Sequence, residues 1–171
     1  AAEYERDKTA AGERHAATNR FIEVEHLISR TVTEMLTSVT RPHSSKPAWV
    51  LLAAADEEQH TLPLEALAAA LAEADGPSRL LGARVPPAAL ADAIRRTGPR
   101  AVVVWSQAPS TGDPSQLARI LTGTPRPLLV AAAGPGWPRE ALPPEAPPPG
   151  SLPAAVDAGL ALLDRAAAAV V

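Results

Sequence analysis

Two hydrophobic rhythms divide the chain. Up to residue 40 the apolar positions recur at helical spacing. Ile22, Leu27, Ile28, Val32, Met35, Leu36 and Val39 form one stripe among charged residues. Residues 41–47 carry two prolines among small polar residues and read as a linker. From residue 48 the pattern changes. Residues 48–55 (AWVLLAAA) are a continuous apolar run without alternation, the pattern of a strand buried on both faces.

Alternation of such runs with amphipathic stretches continues to the end. Helices are expected over residues 63–74, 86–96, 113–121 and 151–170, with Ser151 as the N-cap of the last. Strands are expected over 78–81, 100–105 and 127–132. Strand followed by helix, repeated, implies βαβ units and a parallel sheet with helices on both faces. The expected fold is α/β with a flavodoxin-like strand order, preceded by a partial helical bundle. The segments are then 1–40, helical; 41–47, linker; and 48–171, α/β. A fifth strand belongs to that order. Only residues 139–147 are placed to supply it, and they are proline-rich.

Composition narrows the function. The chain has 171 residues, enough for one domain plus a small helical piece. A chain of that length buries roughly two thirds of its unfolded surface and needs no covalent staple. It has no cysteine, which excludes disulfides, zinc–thiolate sites and thiol nucleophiles. That absence fits a cytoplasmic location. A net charge of -3 argues against strong non-specific nucleic-acid binding. No apolar run approaches the roughly 20 residues that span a bilayer. There is no GxGxxG, no P-loop and no nucleophile elbow, so dinucleotides, nucleoside triphosphates and serine hydrolysis are disfavoured. No catalytic residue is assigned, and the chain is not read as an enzyme. Aromatic residues make up 3%, so each of the 3 tryptophans calls for an explanation.

In open parallel sheets, ligands sit beyond the carboxyl ends of the strands, where the strand order reverses. Three segments qualify. The first runs from Asp56 and Glu57 through Glu58, Gln59, His60, Thr61, Leu62 and Pro63; the second is Ser106, Gln107, Ala108, Pro109 and Ser110; the third is Gly134, Pro135, Gly136 and Trp137. His60 is the one histidine of residues 48–171. Glu58, two residues earlier, is placed to hold one ring nitrogen while the other faces a ligand. One histidine cannot hold a free metal ion, but it can be an axial ligand to a macrocycle that brings the remaining ligands. A solvated loop histidine at an acidic helix start is the bland alternative. Ser106 either meets a ligand or caps a turn, and Trp137 either lines a site or packs into the core. In the helical part, Glu25-His26 follows Phe21 and Ile22 by one turn. His15 lies about three turns before His26 if the helix is continuous. A solvated helix face is the alternative for that pair.

Together these residues resemble a known family. Glu58-x-His60 after a first buried strand resembles the cobalamin-binding motif of the CarH-type photoreceptor regulators. It is also similar to the Asp-x-His-x-x-Gly motif of corrinoid methyltransferases and mutases. Ser106 falls at the family's serine loop and Gly134–Trp137 at its glycine loop. Glu25-His26 resembles the Glu-His of the family's helical cap. The resemblance implies a cobalamin-binding Rossmann-like domain, with His60 as lower axial ligand to cobalt. It implies a nucleotide tail running between the Ser106 and Gly134–Trp137 loops, and a helical cap over the upper face. It further implies a light-sensing regulator that breaks its upper cobalt–carbon bond under light, changes its oligomeric state, and meets DNA only through a separate domain. Two positions depart from the pattern. His15 stands where the cap has tryptophan, and Pro63 where the motif has glycine. His15 leaves room for a different upper-face ligand, including biliverdin or another bilin, as in the similar photocobilins. Pro63 is expected to narrow the passage for the nucleotide tail. Residues 1–40 offer about two cap helices where the family has four. The chain is therefore expected to be a fragment, to lack segments, or to be a stand-alone sensor that self-associates. Two alternatives stay open: a corrinoid carrier for a methyltransferase, and a domain without cofactor that acts in protein association.

Overall fold

A computed structural model describes residues 21–39 and 49–168. The chain divides into two units, Ala1–Met35 and Leu36–Val171. Helix α1 spans Ile22–Val39. Nothing in its sequence breaks it, since it contains neither glycine nor proline. Glu23 and Glu25 favour its positive end. Arg30 and Glu34 add an ion pair one turn apart at 2.7 Å. His15 and the linker residues 41–47 lie outside the described residues.

The α/β unit runs β1 (Val50–Ala54), α2 (Leu62–Glu73), β2 (Ser78–Leu80), α3 (Pro87–Thr97), β3 (Ala101–Trp105), α4 (Ser115–Leu121), β4 (Leu129–Ala133) and α5 (Leu152–Ala168). The four strands form one parallel sheet in the order β2-β1-β3-β4. Every residue of β1 is buried because helices cover both faces. Side chains alternate between those faces. Val50, Leu52 and Ala54 pack against Leu64, Leu67 and Leu71 of α2 and against α5. Leu51 and Ala53 pack with Leu90 and Ile94 of α3 and Leu117 and Ile120 of α4. The continuous apolar run in the sequence is thus two interleaved core faces.

Local chemistry fixes the helix ends. Proline occupies the first turn of α2 and of α3, where its missing N–H costs nothing. Gly98, at φ 55°, closes α3 in the left-handed conformation that glycine tolerates, and its N–H donates to Ile94 O at 2.9 Å. Ser151 Oγ accepts from Ala154 N–H at 3.2 Å, the capping geometry expected for α5.

One expectation fails. Residues 139–147 supply no fifth strand: among the described residues the sheet has four. Instead, Arg139–Ala141 form a 3-10 turn. The reason is chemical. Prolines 138, 143, 144 and 147–149 remove the N–H donors that a ladder requires. The segment still completes the core, because Trp137 and Ala146 are buried beneath it and Leu142 packs beside them on the α3/α4 face. It stands in for the helix and strand that a fifth unit would contribute.

Candidate functional site

The strand order places the reversal between β1 and β3. Ala54 pairs with Trp105 at their carboxyl ends. Ala55 N–H extends the pairing by donating to Trp105 O at 2.8 Å, and then the chains part. Glu57 adopts φ 59°, and Glu58 N–H donates to Ala55 O at 3.1 Å. This turn sends the Glu58 side chain back into the protein, where the residue is 1% exposed. The His60 side chain stays outside, 64% exposed.

The Glu58 carboxylate is the centre of the site. Its Oε1 accepts from His60 N–H at 2.9 Å and lies 2.5 Å from His60 Nδ1. Its Oε2 accepts from Gln107 N–H at 2.7 Å, from the Thr111 hydroxyl at 2.7 Å and from Ala108 N–H at 3.3 Å. Burial pushes the acid's pKa up. The donors from His60 N–H, Thr111, the His60 ring and Gln107 outweigh that effect and hold it at about 2. Glu58 is therefore ionised at neutral pH and can only accept. The neutral imidazole must place its proton on Nδ1, which leaves Nε2 as the lone-pair nitrogen on the exposed side. A carboxylate behind a histidine is the arrangement that fixes tautomer and basicity for metal ligation. Among the described residues no three His, Asp or Glu side chains gather to hold a metal ion. His60 suits a metal that arrives with its other ligands.

The loop after β3 is held from behind. Ser106 is fully buried, with Oγ 2.8 Å from Thr111 Oγ1 and 3.0 Å from Ala108 O. It supports the residues that bind Glu58 rather than facing outward. Gln116, at the start of α4, accepts from Asp56 N–H at 2.9 Å and donates to Thr111 O at 3.2 Å. It ties the first loop to the second. The loop after β4 packs directly on the same structure. Gly136 N–H donates to Ser106 O at 2.9 Å. A Cβ at Gly136 would lie 2.2 Å from Ser106 Oγ, and one at Gly134 would lie 2.2 Å from Ser106 O. Trp137 is 4% exposed, packed in the α3/α4 core, and its indole N–H donates to Ala133 O at 2.9 Å. Gln59 and Pro135 are exposed, while Thr61, Leu62 and Pro63 enter the first turn of α2. Phe21, Ile22, Glu25 and His26 belong to the α1 segment.

Beside this lattice lies a cavity of about 310 Å³. Pro63, Leu64 and Leu67 of α2, Trp105, Ala133 and Gly134 at the strand ends, and Pro149, Leu152 and Ala155 near α5 line it. It exists because small side chains meet there: Ala66, Ala133 and Ala155 leave the space between α2 and α5 unfilled. Pro63, three residues after His60 in the sequence, belongs to its wall. Trp105 Nε1 is buried and has no hydrogen-bond partner among the described residues.

Sequence reasoning missed Thr111, Gln116 and Trp105. Threonine in a loop and glutamine in a helix's first turn carry no distinctive spacing, and Trp105 reads as the last residue of a buried strand.

The fold and site define an α/β domain of the flavodoxin-like class, with a carboxylate-backed histidine at its topological switch point. The chain matches no family model and no curated protein.

Proposed function

We propose that the α/β unit binds cobalamin through His60 and serves a light-responsive sensory regulator. The observation that carries this reading is the Glu58–His60 contact at 2.5 Å, which commits Nδ1 to the carboxylate and leaves Nε2 to donate to cobalt. One further feature suits the group. The apolar cavity beside the first turn of α2 has the character of a pocket for a nucleotide base. When bound, cobalamin supplies a cobalt–carbon bond that light can break.

The chain's own residues have separable parts in this reading. Glu58 fixes the tautomer of His60 and supports imidazolyl basicity. Ser106, Thr111 and Gln116 hold Glu58 in place. Gly134 and Gly136 let the third loop close against the second. The Glu25-His26 pair on α1 supports the sensory side of the proposal, and a bilin as second chromophore belongs to it as well. No helix among the described residues is long and apolar enough to cross a membrane.

The test is titration with hydroxocobalamin followed by absorption. The native protein is expected to shift the corrin bands on binding, and His60→Ala is expected to abolish the shift. Illumination of the reconstituted protein with green or red light is expected to alter its spectrum. A titration that leaves the corrin bands identical in native and His60→Ala protein refutes cobalt ligation by His60.

A further inference from the structure

We infer that the amino-terminal rim of the sheet, on its α3/α4 side, is a docking surface for an acidic protein segment that carries an apolar side chain among its carboxylates. The surface lies at the opposite end of the strands from His60, and the inference does not depend on the cobalamin reading.

The first observation is charge. Residues 93–128 contain five arginines, Arg95, Arg96, Arg100, Arg119 and Arg126, and one acid, Asp113, which precedes the far end of α4. The fold gathers the arginines. Arg95 and Arg96 lie in the last turn of α3, and Arg119 in the last turn of α4. Arg95 and Arg119 line one groove of about 50 Å³ with Gly123, Thr124 and Pro125, and Arg126 follows directly. Arg100 adjoins the same segment at the strand entries, where Leu128 N–H donates to Arg100 O at 2.8 Å. Arg95 pairs with Asp92. Among the described residues Arg96, Arg100, Arg119 and Arg126 have no carboxylate partner, although the chain's net charge is -3. Arginine in the last turn of a helix ordinarily offsets the helix's negative end, which accounts for Arg95, Arg96 and Arg119. It does not account for Arg100 and Arg126, which lie outside the helices.

The second observation is orientation. Arg100 Cζ lies 4.3 Å from the centroid of the Trp49 ring. Trp49 is itself fixed: its N–H donates to Pro77 O at 2.9 Å, and its O accepts from Arg100 N–H at 2.8 Å. The stack holds the guanidinium in place before a partner arrives, so less freedom is lost when it grips a carboxylate. The third observation is Leu128. It is 71% exposed beside Arg100, and the buried core of β4 begins only at Val130. An apolar side chain among arginines suits a partner that buries an apolar group and sets carboxylates around it. A nucleic acid suits it less. The Trp49 face that Arg100 covers is closed to a base, and Leu128 has nothing to meet on a phosphate backbone. Glu73 and Asp75 at the end of α2 also bound the positive area on the β2 side.

The test is fluorescence anisotropy with labelled probes: a short peptide of repeated Glu-Glu-Leu, its Glu-Glu-Ser counterpart, and a DNA duplex. The native protein is expected to bind Glu-Glu-Leu at low salt and to lose it as salt rises. Glu-Glu-Ser is expected to bind about fivefold more weakly, because it leaves Leu128 uncovered. Arg126→Glu is expected to weaken Glu-Glu-Leu about tenfold, since it sets like charges against each other. Leu128→Ser is expected to make the two peptides bind alike. Both positions are exposed, and circular dichroism establishes that the variants are folded. No binding of Glu-Glu-Leu by the native protein, or binding that neither variant changes, would overturn the inference. So would tighter binding of the duplex than of the peptide. A dimer of the native protein that both variants convert to monomer would assign the surface to a second copy of the chain and overturn it as well.

A second readout needs no variant. In 15N-labelled native protein, Glu-Glu-Leu is expected to move the amide signals of residues 95–100 and 126–128 and the indole signal of Trp49. Movement confined to other signals would overturn the placement of the surface.

Discussion

Replacing Glu58 by glutamine tests the centre of the site without any ligand. The carboxylate accepts on both oxygens: from His60 N–H and Nδ1 on Oε1, and from Gln107 N–H, Ala108 N–H and Thr111 Oγ1 on Oε2. An amide offers one acceptor oxygen and turns an NH2 group toward the remaining donors. One such buried mismatch costs about 1–3 kcal/mol, and the loss of the charge adds to it. The acid side gives an independent magnitude. The carboxyl's pKa falls from 4.5 to about 2 on folding. At 1.36 kcal/mol per pH unit that drop is worth about 3 kcal/mol at most, and roughly 2 after allowance for solvent screening at the loop surface. The sign follows from the depressed value. The contribution is complete above about pH 4.5 and disappears as pH falls toward about 2. Urea unfolding of native protein and Glu58→Gln at pH 7 and pH 3 is the assay. At pH 7 the variant is expected to be less stable by about 2–4 kcal/mol. By pH 3 the native protein is expected to lose roughly 1–2 kcal/mol more than the variant, so the gap narrows. Ionisation of the other carboxylates affects both proteins alike and cancels. A gap of the same size at both pH values would refute the claim that donors around Glu58 hold it ionised.

Gly134→Ala should destabilise by more than about 2 kcal/mol in thermal melts, because its φ is 101° and the new Cβ would lie 2.2 Å from Ser106 O; an unchanged Tm would contradict the loop packing. Gln116→Ala should cost about 1–2 kcal/mol by freeing Asp56 N–H and Thr111 O, and should broaden loop amide signals at 55–61 and 106–112. Leu117→Ala, at a fully buried site between α4 and the sheet, should cost about 2–5 kcal/mol in urea unfolding. Ala155→Leu should fill part of the cavity between α2 and α5. It should block cobalamin in titration while sparing cobinamide, and equal binding of both would remove the cavity from the site.

The fold was largely readable because its signal is collective. Val50–Ala54 and Ala101–Trp105 are buried over at least four consecutive positions, a pattern that only a doubly covered parallel sheet explains. The absent fifth strand was half visible. The prolines between 138 and 149 argued against a ladder, yet nothing in the sequence said that Trp137, Leu142 and Ala146 would fill the core instead. Within the site, His60 and Glu58 stood out because an i, i+2 pair in a tight turn can meet without help from the rest of the chain. The partners of Glu58 lie 49 to 53 residues away, and their pairing depends on how two strand ends align. Such contacts leave no periodic trace. Trp105 shows the same limit from the other side: that its indole N–H lacks a partner depends on the packing around it.

The glycines and the serine illustrate how one pattern serves two physical ends. Gly134, Gly136 and Ser106 read as loop residues that let a ligand approach. In the folded chain they let one loop approach another, since a methyl group at either glycine would collide with Ser106. This changes where ligand specificity should reside. The loops after β3 and β4 are occupied with holding each other and, through Thr111, the Glu58 carboxylate. Their side chains are largely consumed before any ligand arrives. A group with unspent capacity is the His60 imidazole, 64% of whose side chain is exposed. With Nδ1 committed to Glu58, its other nitrogen is a donor already oriented by the fold, and specificity should reside in what can accept that lone pair.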